Sequence, residues 1–385
     1  MKPGTSLWIM GFCFLLVTMS TPSLFAEQIA TTSSLASITD FYDAFPEQTT
    51  VNIAGQKCII PFLQERIWYY QRLVNEEKKN RLLNPLRQPT FDKYKQAAYV
   101  ASRSKDILRK ILREGEIVDV ESLGGGNHAS WKAFVKRIDP LTGECFAVKV
   151  AMKFHLADRD TDAYSEVSAY EWDQQLGRSN VPMAILREFN GKRCSLMVFI
   201  GGDHARVANN SALPKQEFQK IGNEDRFFAY TARHWDLDAA QNKNMGNLIW
   251  YVSQDPFAKK FQCKAHTALI DFSWAFRSGD LFHELIGKAS WKISGDNIYK
   301  YLSSQMYPSY VTYKNYDFEK LKADQSFYTQ ALRHKVERIE MLKKRRDQFV
   351  NAVNNAIQKK FPQISYQQAD PATKQELERQ FFSTL

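Results

Sequence analysis

Two short apolar segments near the middle of the chain each carry a polar residue at one end. Asn247 precedes the run LIWYV, and Asp271 follows the run TALI. Apolar runs of this length, separated by a polar loop, are typical of neighbouring strands. Amide and carboxylate oxygens are ligands that Mg²⁺ and Mn²⁺ prefer. The pattern therefore predicts a pair of neighbouring strands, each with a polar residue at one end, Asn247 or Asp271, of a type that can bind a divalent cation.

The length, composition and net charge of the chain indicate how many domains it can form and what kind of partner it can bind. The chain has 385 residues, of which 44% are hydrophobic and 13% aromatic, enough for a packed core in one large domain or two ordinary ones. Its formal net charge of +10 favours an anionic partner, although a generally basic surface would look the same. No zinc-finger or aromatic RNA-binding signature occurs, so nucleic acid is not the expected partner.

Residues 1–26 have the order of a secretory signal peptide. Lys2 precedes an apolar run from Leu7 to Val17, and small and polar residues then lead to Ala26. The apolar run is short for a transmembrane helix. We expect a cleaved signal and a secreted or exported protein, with delivery into a host cell as one destination. An uncleaved anchor and an N-terminal helix are the alternatives.

Four cysteines follow the signal-like segment, namely Cys58, Cys145, Cys194 and Cys263. They are scattered and show no CxxC or Cys/His spacing, so a cysteine-based metal site is not expected. Cys145 and Cys194 lie in apolar, strand-like runs, where a buried free thiol is the commoner state. No disulfide is assigned from the sequence.

The remaining chain divides into three blocks of an α+β protein. Residues 27–114 predict a helical extension, with periodic apolar positions over 62–83 and 94–112. Residues 115–310 open with strand patterns, including a hairpin around a turn at Asp139 and Gly143. Residues 311–385 predict a basic helical region in which one long helix, 318–360, ends before Pro362.

The middle block begins with a glycine loop, Gly124, Gly125 and Gly126. Glycines allow backbone amides to approach an anion closely, although a flexible loop has the same composition. The loop matches neither the Walker A pattern nor a strict GxGxxG. It therefore indicates an anion site only in combination with neighbouring residues.

Lys149 lies in an otherwise apolar strand, on the same face as Ala147 and Ala151. Lysine is rarely buried without an anionic partner, so Lys149 is a candidate ligand for phosphate. The alternative is an edge-strand lysine that points into solvent, which is how we interpret Lys153. A helix should follow, with Glu166 and Glu171 on opposite sides of its apolar stripe.

The densest group of polar residues is His234-Trp235-Asp236, then Asn247, then Asp271-Phe272-Ser273. Their order resembles the protein kinase-like superfamily, in which His-Arg-Asp is followed by Asn, an apolar strand and Asp-Phe-Gly. The chain looks like one of the remote, atypical members, such as bacterial effector kinases and secretory-pathway kinases. The resemblance covers about half of the chain.

The resemblance implies a two-lobed kinase-like fold with a β-rich N-lobe, a helical C-lobe and extra helices at both ends. It also implies ATP bound under the glycine loop, with Lys149 gripping the phosphates and Glu166 holding that lysine. Asn247 and Asp271 would bind Mg²⁺ or Mn²⁺.

Asp236 or Asp238 would orient the acceptor hydroxyl and accept its proton. The chain departs from the family at two points: Asn242 stands five residues before Asn247 where the family has Asp, and Ser273 replaces the glycine after Asp271-Phe272. Three functions are consistent with the pattern. They are an active serine/threonine protein kinase, a kinase for a lipid or small molecule, and a nucleotide-binding pseudokinase that acts as an interaction module.

A basic cluster lies on the long C-terminal helical pattern. A solvated helix face is one interpretation. The other is a site for an inositol polyphosphate or an acidic lipid head group, because lysines and arginines on adjacent turns can surround clustered phosphates. Its members are Arg333, Lys335, Arg338, Lys343, Lys344, Arg345 and Arg346.

Overall fold

The larger of the two sheets in the described part of the chain is assembled from strands between residues 49 and 198. In the computed structural model of the chain its seven strands follow the order β1-β2-β5-β4-β3, while β7 pairs with both β5 and β6. The strands are β1 Thr49–Ile53, β2 Gln56–Ile60, β3 Glu116–Ser122, β4 Ser130–Ile138, β5 Cys145–Phe154, β6 Ala184–Phe189 and β7 Lys192–Val198.

The smaller sheet is antiparallel and has the order β10-β9-β8. Its strands are β8 Asp203–His204, β9 Leu248–Gln254 and β10 Cys263–Leu269. The predicted pair of apolar strands on either side of a polar loop is therefore confirmed by β9 and β10, whose register pairs Leu248 with Leu269.

Helices flank these sheets. They are α1 Leu63–Leu83, α2 Phe91–Glu114, α3 Ala163–Gln175, α4 Lys215–Thr231, α5 Tyr307–Lys314, α6 Glu319–Ala323, α7 Lys335–Lys360 and α8 Pro371–Ser383. Two 3-10 turns, Ile298–Tyr301 and Ser304–Met306, precede α5. Among the described helices, none combines the length and apolar character needed to span a bilayer.

The architecture is thus mixed α+β, as predicted. The structure describes residues 49–86, 91–124, 130–155, 163–200, 203–204, 215–234, 248–254, 263–273, 275–276, 293–328 and 335–385. All of them belong to the compact unit Phe45–Leu385. The signal-like segment 1–26 lies outside the described residues.

Strand β5 is central to the larger sheet. It pairs antiparallel with β4 from Cys145 to Lys153. Its other edge is shared, because β2 meets it in parallel at Phe146 and β7 pairs with it from Val150 to Phe154. A strand held on both edges has a fixed position, and so do the side chains that alternate along it.

The helical extension packs on the sheet and on α3. Gln64 of α1 accepts a hydrogen bond from the backbone N–H of Met183, 2.8 Å away. Lys105 of α2 donates to Gln71 of α1 and, over 2.6 Å, to Gln174 of α3. The extension therefore braces the helix that carries Glu166.

The predicted helices at 62–83 and 94–112 are confirmed by α1 and α2, but the extension is not wholly helical. It begins with the hairpin β1-β2, and β2 joins the larger sheet. The prediction of one helix over 318–360 is also wrong. The chain is extended at Asp324, whose carboxylate accepts hydrogen bonds from Ser326, and this local pairing competes with helix. The helix α7 ends at Lys360, before Pro362 as predicted.

A disulfide joins Cys58 of β2 to Cys145 of β5, with their Cα atoms 4.5 Å apart. The expectation of a free thiol at Cys145 is therefore wrong, because the parallel pairing of β2 with β5 places the two cysteines side by side. Cys194 is a buried free thiol, as expected, and burial raises its pKa to about 11.

Candidate active site

Lys153 occupies the centre of a charged cluster. It follows from the alternation of β5 that Lys149, Ala151 and Lys153 project from the same face of the sheet. The Lys153 ammonium forms an ion pair with Oε1 of Glu166, lies 2.6 Å from Oδ1 of Asp271 and donates to Oγ of Ser273 at 3.2 Å. Its side chain is only 15% exposed.

Lys149 does not hold Glu166, so the predicted pairing of these two residues is wrong. The Lys149 ammonium lies 4.4 Å from the ring centroid of Phe199, a cation–π distance. The interpretation of Lys153 as a solvent-facing lysine is wrong as well. Both lysines share one face of β5, and only the position of α3 along the strand decides which of them meets the glutamate.

Glu166 is buried because α3 is enclosed on nearly all sides. In addition to Lys153, its Oε1 accepts hydrogen bonds from the backbone N–H of Phe272 at 3.1 Å and from Oγ of Ser273 at 3.4 Å. Glu166, which we expected to pair with Lys149, pairs with Lys153 instead. Glu166 thus connects α3 to the segment that follows β10.

Asp271 lies just after β10 in the left-handed backbone region, with a φ of +62°. Few residues other than glycine adopt this conformation, and aspartate is among those that tolerate it. Such backbone strain persists where surrounding contacts hold it, often at functional sites. Here the turn directs the Asp271 carboxylate back toward Lys153.

His234 supports this segment from the end of α4. Its imidazole is buried and packs edge-on against the ring of Phe272, with centroids 4.7 Å apart. Burial lowers the pKa of His234 to about 4, although the nearby charge of Asp271 acts in the opposite direction. His234 is therefore neutral at physiological pH, and its role in this packing is structural.

The pKa values of the three charged residues are linked. Burial lowers the pKa of Lys153, but Glu166 and Asp271 outweigh burial and the net shift is upward. Burial raises the pKa of Asp271, yet the Lys153 charge outweighs it and the net shift is downward. For Glu166, burial raises the pKa more than Lys153 lowers it. Two carboxylates thus share one firmly protonated lysine.

Within the cluster, Asp271 is the residue positioned to supply one oxygen ligand to a divalent cation. The side chain of Asp271 is 41% exposed, so a cation in solvent can reach this hard carboxylate. Within the described ranges, no group of three or more acidic, histidine or cysteine side chains forms a metal site. Asn247, the second predicted ligand, lies outside the described residues.

Several other predicted residues also lie outside the described part of the chain. Gly125, Gly126, Asp236 and Asp238 are among them. Gly124 is described: it is exposed, has a φ of +62° and donates its backbone N–H to Ser122 Oγ at 3.3 Å. The glycine loop thus begins with a residue whose conformation favours glycine.

The basic residues of α7 do not form one surface in the described part of that region. Arg338 and Arg345 are buried. The Nε of Arg345 donates to the Tyr230 carbonyl at 2.9 Å, and its guanidinium lies 4.0 Å from that ring's centroid. Arg346 donates to the Tyr316 carbonyl at 3.0 Å. These side chains fasten α7 to the core.

The other residues of the predicted basic cluster have separate surroundings. Lys335 donates to the Asp324 carbonyl at 2.7 Å, Lys343 lies 4.0 Å from Glu340, and Lys344 is exposed. Arg333 lies outside the described residues. The expectation of a single seven-residue basic cluster is wrong, since positions on adjacent turns of a helix diverge around its axis.

Comparison of the sequence with protein-family models and with curated proteins found no match. The functional interpretation therefore rests on the geometry of the chain's own residues.

Proposed function

We propose that the chain is an exported phosphotransferase of the two-lobed, kinase-like type, which transfers the terminal phosphoryl group of ATP to a serine or threonine hydroxyl. One observation carries this proposal. Lys153, a mostly buried lysine of the central strand β5, contacts both Glu166 of helix α3 and Asp271, which follows strand β10. This combination of residue types suits phosphoryl transfer, because catalysis of that reaction consists largely of positioning and charge neutralisation.

Each residue has a distinct part in the proposal. Lys153 supplies a permanent positive charge for phosphate oxygens, and Glu166 keeps its side chain extended toward the cleft. Asp271 presents its carboxylate to Mg²⁺ or Mn²⁺, which when bound neutralises charge on the phosphates. Asp236 or Asp238 would orient the acceptor hydroxyl and take up its proton.

Export is supported by the signal-like segment and by the Cys58–Cys145 bridge, because disulfides form in oxidising compartments. Delivery into a host cell would bring such a protein to ATP and to protein acceptors. An inositol polyphosphate activator is not part of the proposal, because the basic residues of α7 are divided between the core and separate surfaces.

The test is transfer of label from γ-labelled ATP in the presence of Mn²⁺. Wild-type protein is compared with Asp271→Asn, which removes a charge at constant volume, and with Lys136→Met as a control for loss of a lysine from the sheet. Label on protein supports the proposal, and label on a lipid or inositol acceptor redirects it to a small-molecule kinase. Nucleotide binding without transfer would overturn the proposed activity and indicate a pseudokinase.

A further inference from the structure

Ala151 forms a small patch on the sheet face that carries Lys153. Directly opposite residues in antiparallel strands share a face, and Ala151 lies opposite Lys132 of β4 and Met197 of β7. Lys149 comes two residues earlier on the same face, where its carbonyl accepts the N–H of Phe199 at 2.9 Å. A flat ligand over Ala151 would have both lysines beside it.

In the described part of the chain, Lys132 and Lys149 have one carboxylate between them within ion-pair distance. The Lys132 ammonium lies 2.7 Å from Glu121, whose side chain is exposed. No carboxylate in the described ranges lies within ion-pair distance of Lys149. Burial and the charge of Lys132 both lower the pKa of Lys149. The patch therefore holds two hydrogen-bond donors, of which Lys149 forms no ion pair within the described ranges.

The spacing relates this patch to Lys153. At about 3.3 Å per residue, the Cα atoms of Lys149 and Lys153 are about 13 Å apart along β5. A nucleoside triphosphate with its phosphates at Lys153 can extend along the strand, so that its base covers Ala151. The N7 edge of the base would then face both Lys149 and Lys132, whose ammonium groups lie near enough to each other for the charge of Lys132 to lower the pKa of Lys149.

We propose that Lys132 and Lys149 select guanine, so that the chain uses GTP in preference to ATP. A lysine ammonium only donates hydrogen bonds. Guanine presents two acceptors, N7 and O6, on the edge where adenine presents one acceptor and an amino donor. Two ammonium groups at that edge match guanine and oppose the amino group of adenine. This inference rests on the proposed function and changes its phosphoryl donor.

Calorimetric binding of non-hydrolysable GTP and ATP analogues with Mg²⁺ tests the proposal on the full chain with its disulfide intact. We expect the GTP analogue to bind about tenfold more tightly, the order of discrimination that one well-placed pair of contacts to a base edge gives. Lys149→Met and Lys132→Met should each bring the ratio of affinities closer to one, chiefly by weakening the GTP analogue.

Lys136→Met is the matched control. Lys136 lies on the same face of β4 and also pairs with a β3 glutamate, Glu116, at 3.3 Å, but it stands opposite Ala147, beyond the patch. This variant should keep the wild-type ratio. Equal or tighter binding of the ATP analogue, or a ratio unchanged in both patch variants, would overturn the inference and leave the proposed function standing. Failure of both nucleotides to bind would overturn both.

Discussion

The ammonium nitrogen of Lys153 lies 2.6 Å from Oδ1 of Asp271, although 118 positions separate these residues in the chain. Lys153 belongs to the central strand of the larger sheet, and Asp271 follows the edge strand β10 of the smaller one. This contact, with Glu166 of α3 beside it, joins the two sheets at the candidate active site. Changes to any of the three residues should therefore affect both stability and activity.

The first prediction concerns the identity of the phosphate lysine. Lys153→Met should reduce kcat/KM for phosphoryl transfer by about 100-fold or more, the usual loss when one charge-stabilising donor is removed from an active site. Steady-state transfer from labelled nucleotide measures this effect. Lys136→Met should keep near wild-type activity. Full activity in Lys153→Met would contradict the assignment.

The second prediction concerns stability. Lys153→Met leaves Glu166 and Asp271 without their shared cation, so the free energy of unfolding at pH 7 should fall by about 2 kcal/mol, less than for a fully buried pair because Asp271 is partly exposed. Protonation of a carboxylate relieves the repulsion, so the variant should regain stability relative to wild type as the pH falls toward 5.

Denaturant unfolding at pH 5 and pH 7 measures this recovery. The double variant Lys153→Met/Glu166→Gln is the control, because it removes the second buried charge at constant volume. It should be more stable than Lys153→Met at pH 7 and show a weaker dependence on pH. Parallel pH profiles for the single and double variants would argue against a charge effect.

A third prediction follows from a buried carboxylate cluster around Arg178. Its guanidinium lies 3.4 Å from Asp173 and 3.8 Å from Asp225, and it also donates to the Glu224 carbonyl. Asp225 further accepts a hydrogen bond from Thr267 of β10. Burial outweighs these partners, raising the pKa of Asp173 to about 6 and that of Asp225 to about 7.

Because the folded state binds these protons more tightly than the unfolded chain, protonation stabilises the fold. The contribution of Asp225 to the free energy of unfolding should increase as the pH falls from about 7 toward its ordinary pKa of 3.8, by at most roughly 1.4 kcal/mol per pH unit. Asp225→Asn removes this titration. Its stability should equal or exceed that of wild type at pH 8 and lose that advantage at pH 5; a constant difference across this range would refute the assignment.

The fourth prediction concerns the Cys58–Cys145 bridge, which closes a sequence separation of 87 residues. Its reduction should lower the free energy of unfolding by roughly 2–4 kcal/mol, because a long loop is freed in the unfolded chain. Denaturant unfolding with and without reductant measures the loss. Cys194→Ala should show the same sensitivity to reductant, whereas Cys58→Ser should show none. Peptide mapping that finds free thiols at Cys58 and Cys145 in protein purified without reductant would contradict the bridge.

Local patterns predicted the β4–β5 hairpin and the α1 and α2 helices, because turn residues and apolar periodicity act over a few positions. Gly143, for instance, has the positive φ that its turn requires. The predicted involvement of Glu166 and Asp271 in one site also agrees with the structure, because the order of residue types suggested it.

Long-range pairing could not be predicted in the same way. Lys149 and Lys153 have the same alternation on β5, and only the placement of α3 makes Lys153 the partner of Glu166. The disulfide likewise depends on the parallel contact of β2 with β5. The break at Asp324 is local, but the apolar periodicity used to predict the helix does not register the side-chain hydrogen bonds from Ser326 that compete with it.

A crystal structure of the chain with a non-hydrolysable nucleoside triphosphate analogue and Mn²⁺ would locate the phosphates, while the anomalous signal of Mn²⁺ would locate the metal. We expect the Lys153 ammonium to lie about 3 Å from a phosphate oxygen and an Asp271 oxygen to coordinate the metal. Phosphates that contact Lys149 instead, or that lie away from Lys153 and Asp271, would contradict the proposed active site.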